Sequence, residues 1–225
     1  MNFLRLPSKY DLSLNFKTYK SIASYGKNRN ETFVGINYST VSSPDAHLVY
    51  SVIPEQYRKN FYLALMEVNT FIPPHIDTGV MSTINFYIKA DGCTTQFYDF
   101  KDGADKSRVD TKGYVYDIKD LEERDSFVAG DGDAYLLDTT QIHAVWDMGK
   151  EVQEVQMGLV YRFEDASVNH NFDISKKDFS STPIIKDKNG STLDIPSAYR
   201  DTYRIALCLQ SRVHSFTDVA SMIAG

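Results

Sequence analysis

Phe71-Ile-Pro-Pro-His-Ile-Asp-Thr-Gly79, followed at once by Ser82-Thr-Ile-Asn-Phe-Tyr-Ile-Lys89, is the stretch on which the fold turns. Strand-forming residues run into a Pro-Pro break, a short polar turn carries the chain past Gly79, and a second strand begins. Working outward, the same grammar repeats. Phe61 to Val68, Thr94 to Phe100, Tyr114 to Ile118, Ser126 to Ala129, Ala134 to Asp138, Ile142 to Trp146 and Gln153 to Phe163 are short runs rich in Tyr, Phe, Val and Ile. Asp-Gly-Cys93, Gly130-Asp-Gly-Asp133 and Asp147-Met-Gly-Lys150 punctuate them as turns. Eight short strands at this spacing, with no long 3.6-residue periodicity between them, predict an all-β core of jelly-roll type with peripheral helices.

At 225 residues the chain suits one domain. The jelly-roll core is expected over about residues 61–165, with 1–60 as an N-terminal support layer and 166–225 as a C-terminal extension. Aromatic residues make up 13% of the chain, 15 Tyr and 13 Phe against one Trp, as a pleated, half-buried surface favours. Pro54-Glu-Gln-Tyr-Arg-Lys-Asn60 reads as a single helical turn, and Ser215-Phe-Thr-Asp218 as the cap of a terminal helix. Tyr199 to Val213 fits a strand and a helix equally. Lys101 to Arg124 is highly charged and interrupts the strand series; it reads either as a solvated loop or as a lid at a site mouth.

A net charge of −6 and a pI near 5.3 give no general attraction to phosphates or anionic lipid, so nucleic acid is not a favoured partner. Cys93 and Cys208 lack CxxC spacing, so neither a thiolate metal site nor a disulfide framework is indicated. With no apolar run of about 18 residues and no signal-peptide pattern, a soluble, cytoplasmic protein without membrane contact is expected.

In an extended backbone, residues i and i+2 point to the same face, so His75 and Asp77 can reach one metal ion together. His143, in Tyr135-Leu-Leu-Asp-Thr-Thr-Gln-Ile-His-Ala-Val-Trp146, is the best third ligand. Two imidazoles and one carboxylate form the set that holds non-haem Fe(II) on one face and leaves positions open. His47, His170 and His214 have no carboxylate at i+2 and read as non-ligands.

Pro-Pro-His75-Ile-Asp77, Ile84-Asn-Phe-Tyr-Ile88, Thr94-Thr-Gln-Phe-Tyr98, Gly132-Asp-Ala-Tyr-Leu-Leu-Asp138 and His143-Ala-Val together resemble the Fe(II)- and 2-oxoglutarate-dependent dioxygenases, in particular small single-domain members from phages and marine microbes. The resemblance covers about residues 61 to 165 and implies a double-stranded β-helix. It implies His75, Asp77 and His143 as iron ligands and 2-oxoglutarate as co-substrate. It further implies a basic residue on the eighth strand for the far carboxylate of the keto acid. With that strand at Val152 to Phe163, the residue is Arg162; Lys150 is a second basic candidate, and Asn85 and Tyr98 are candidates for further hydrogen bonds. The implied reaction is hydroxylation of an aliphatic C–H bond in an amino acid, a peptide or protein side chain, or a small molecule. Three alternatives stand beside it: a non-enzymatic jelly-roll binding or phage structural protein, a nucleobase-hydroxylating member of the same family, and a cupin-like enzyme that uses the triad without a keto acid.

Overall fold

The computed structural model describes residues 1–12, 17–25, 36–68, 72–90, 92–108, 115–146, 185–186, 192–193 and 204–225. Two antiparallel sheets dominate it. The larger has seven strands in the order β1 (Phe3–Arg5), β9 (Ala134–Leu137), β6 (Ser82–Lys89), β13 (Arg204–Ser211), β4 (Phe61–Val68), β3 (Ile36–Ser42) and β2 (Lys17–Tyr25). The smaller has four, in the order β5 (Ile72–His75), β10 (Ile142–Trp146), β7 (Thr94–Phe100) and β8 (Leu121–Val128). The short strands β11 (Ile185–Lys186) and β12 (Thr192–Leu193) pair with each other.

Alternation along each strand builds three apolar layers. Met66, Tyr87, Leu137 and Ala206 of the large sheet meet Phe97 and Val145 of the small one in a shared interior. The opposite face of the large sheet, with Leu65, Phe86, Leu136 and Leu207, is covered by the N-terminal segment and by helices α1 (Ala46–Ser51) and α2 (Phe216–Ala224). The outer face of the small sheet carries a third cluster around Tyr98, Ala144 and Trp146. Helix α2 begins where the sequence indicates, at a capping box in which the Ser215 hydroxyl and the Asp218 carboxylate satisfy each other's backbone N–H groups.

Several boundaries differ from the sequence reading. β8 extends back through Glu122-Glu-Arg-Asp125, because an edge strand with a solvated face tolerates charge. Of the expected strand at 114–118, Val115 and Tyr116 form isolated bridges, to His75 and Arg108 respectively, and Ile118–Asp120 is a 3-10 turn. The N-terminal part extends the large sheet at both edges, through β1 on one side and β3 and β2 on the other. Val152 to Phe163 lies outside the described residues. The place between β6 and β4 is filled by β13, so a core closed near residue 165 omits a central strand. The segment 204–211 gives an ambiguous pattern because both of its faces are buried: Leu207 and Leu209 pack under the helices while Ala206 and Cys208 face the other sheet.

Candidate metal centre and its cavity

β5 and β10 are antiparallel neighbours in which His75 lies directly opposite His143, their rings 4.4 Å apart. Asp77 follows in the turn after β5, its backbone N–H donating to the Thr139 carbonyl at 3.0 Å and its Oδ1 lying 3.3 Å from His75 Nε2. One ligand atom from each of His75, Asp77 and His143 falls within 4.8 Å of the others, and this is the one such cluster among the described residues. The expected triad thus comes together.

Backbone carbonyls set both ring orientations. His75 Nδ1 lies 2.8 Å from the Pro73 carbonyl and His143 Nδ1 lies 2.9 Å from that of Gln141. A carbonyl only accepts, so each Nδ1 carries the proton and each Nε2 keeps its lone pair, the arrangement a metal requires. Burial, reinforced by the neighbouring His75, pushes His143 down to about 4 against the pull of Asp77, so its imidazole is neutral at pH 7. For Asp77, burial acts upward, but the adjacent His75 and His143 rings outweigh it and hold the carboxyl below its ordinary value. A neutral His143 imidazole, the His75 ring and the Asp77 carboxylate together make a donor set suited to a divalent cation.

The triad opens into a narrow cavity between the sheets, which Thr83, Asn85, Tyr87, Thr95, Arg204 and Gln210 also line. Asn85 is among these lining residues and accepts from Thr83 Oγ1 at 3.2 Å. Tyr98 is a correction. Thr95 and Phe97 use the inward positions of β7, and Tyr98 points to the other side, where its hydroxyl accepts from Trp146 Nε1 at 2.8 Å and donates to Gln96 Oε1 at 2.5 Å. Arg162 and Lys150 lie outside the described residues.

Arg204 was missed. It is the first residue of β13, 1% exposed, with Nη2 donating to the Cys93 carbonyl at 2.7 Å and Nη1 to Thr95 Oγ1 at 3.4 Å. Its guanidinium carbon stands 5.0 Å from the centre of the Tyr87 ring. Its Nε has no hydrogen-bond partner, and no carboxylate pairs with it among the described residues. The sequence signal was an arginine opening the alternating run Arg204-Ile-Ala-Leu-Cys-Leu-Gln210, a position that only a strand assignment turns inward.

The chain matches no protein-family model and no curated protein. Among solved structures it is similar to vicilin from Corylus avellana (hazelnut), at 14% identity and a TM-score of 0.17, over 67% of this chain and 32% of that one. The chain thus spans about a third of that protein's length.

Proposed function

We propose that this protein is an Fe(II)- and 2-oxoglutarate-dependent dioxygenase of jelly-roll architecture that hydroxylates an aliphatic C–H bond. One observation carries the reading: the His75, Asp77 and His143 cluster shares its cavity with a buried arginine that lacks a counter-ion among the described residues. A buried guanidinium without an anion is costly, and a bound carboxylate removes that cost. The order of crossings supports the jelly roll. The chain alternates between the sheets as it passes through β4, β5, β6 and β7, and again through β8, β9, β10 and β13.

His75, Asp77 and His143 would hold the iron, which supplies redox chemistry at the coordination positions they leave open. Arg204 takes the role that the resemblance gives to a basic residue on the eighth strand: it fixes the far carboxylate of the keto acid, with Thr95 and the Tyr87 ring holding the guanidinium in place. Between Arg204 and the mouth, the inward positions of β13 are the small residues Ala206 and Cys208, which leave a trough facing the triad. Met66, Ile72, Leu137 and Val145 wall the trough and keep water out.

Anaerobic addition of Fe(II) and then 2-oxoglutarate tests the reading. A charge-transfer absorption is expected, lost in His75→Ala and His143→Ala, with succinate released once oxygen is admitted. Metal binding with no such band and no succinate would falsify it.

A further inference from the structure

We propose that Gln210, Tyr62 and Arg212 form a recognition subsite for a carboxylate of the primary substrate, at the end of β13 opposite Arg204. The inference rests on the function proposed above and adds the substrate's chemical class. The inward positions of β13 are 204, 206, 208 and 210, which separates Arg204 from Gln210 by roughly 20 Å along the strand. A five-carbon keto acid cannot span that length, so the two ends of the strand serve different molecules. The triad lines the same cavity as both residues, and the turn that bears Asp77 is tied to β13 beside Gln210, at Ser211.

The mouth is a built site. Gln210 is 8% exposed and lines the cavity, yet its amide makes no hydrogen bond with any described residue. An amide that faces a cavity without a partner in the protein is available to hydrogen-bond a ligand there. Its neighbours across the sheet are Tyr62 on β4 and Thr83 on β6. Arg212, just past the strand end, lays its guanidinium 5.2 Å from the centre of the Tyr62 ring. It is exposed, and no carboxylate pairs with it among the described residues. The turn bearing Asp77 is tied to the same strand end by Met81 N–H, which donates to the Ser211 carbonyl at 2.8 Å, and to the turn after β9 by Thr139 Oγ1, which donates to the Val80 carbonyl at 3.1 Å. A substrate carboxylate held by Arg212, with a neighbouring polar group on the Gln210 amide, would therefore be registered against the metal by one short piece of backbone. In a chain of net charge −6, such a cation discriminates in favour of a carboxylate over a neutral amide.

The test uses full-length protein loaded with Co(II) and 2-oxoglutarate, whose visible absorption reports ligand arrival beside the metal without turnover. The probes are the common L-amino acids, their carboxamides, and short peptides with free or amidated C-termini. At least one free carboxylate is expected to change the spectrum, with its amide weaker by about tenfold or more. Arg212→Gln and Gln210→Leu are each expected to raise that half-saturation by a similar factor while leaving Co(II) and 2-oxoglutarate titrations unchanged, and Arg212→Lys to recover part of the loss. Response to free amino acids alone, or also to peptide C-termini, identifies which source of carboxylate the mouth admits. Equal response to acid and amide, an Arg212→Gln protein that responds like the parent, or no response to any carboxylate overturns the subsite while leaving the proposed function standing. Failure of the parent protein to bind Co(II) or 2-oxoglutarate overturns both.

Discussion

The two ends of the cavity were assembled by different means. At the triad, His75 and Asp77 are neighbours in the chain and His143 reaches them through direct pairing of β5 with β10. At the other end, Arg204 comes from a strand 61 residues beyond His143 and meets Cys93, Thr95 and Tyr87 through the packing of one sheet on the other. The first end is written as a motif, while the second exists only once the sandwich has closed.

Removing a ligand should separate the ends most sharply. His143→Ala is expected to lower metal affinity beyond the roughly 10- to 100-fold loss caused by disturbing a supporting partner, measured as metal content after dialysis. A variant that retains stoichiometric metal would remove His143 from the site. Next in size, Arg204→Met should weaken 2-oxoglutarate binding by roughly 100-fold, since charge-assisted hydrogen bonds are lost, while metal content stays unchanged. Its melting temperature should hold or rise, because an apolar side chain replaces a buried charge without a counter-ion. A large drop in stability would show that Arg204 is structural.

Acid should act on the triad end alone. The folded state holds His143 at about 4, below its ordinary 6.5, so as pH falls the unfolded chain takes up this proton first. Stability of the metal-free protein should be complete above pH 6.5 and decline between 6.5 and about 4. Denaturant titrations across that range should show a shallower decline in His143→Ala and an unchanged one in Arg204→Met. The smallest effect concerns Tyr98. Tyr98→Phe removes the hydroxyl that accepts from the Trp146 N–H and should cost about 1 kcal/mol of stability, with no change in metal or keto-acid binding, because it lies on the outer face of the small sheet.

These contrasts explain what could be read in advance. Strands β4, β6, β7, β9 and β10 were legible because each is a short apolar or aromatic run ended by turn residues, and the i, i+2 rule placed His75 and Asp77 together. The same rule, applied to β7, separates Tyr98 from Thr95 and Phe97, yet which parity faces inward depends on the opposing sheet. β13 was obscured because a strand apolar on both faces fits a helical stripe as well as an alternating one, and with it went Arg204 and Gln210. Helix α1 was missed for a simpler reason: six residues with no capping hydrogen bond at the start give a sequence little to show.

The bridge between Val115 and His75 has a consequence for how the site opens. Val115 pairs with His75 on the side of β5 away from β10, and Tyr116 N–H donates to the Pro74 carbonyl at 2.9 Å. Val115 and Tyr116 are thereby expected to open together with β5. Metal loading should therefore slow hydrogen–deuterium exchange at the Tyr116 amide, far along the chain from any ligand, making this amide a local reporter of whether the centre is filled.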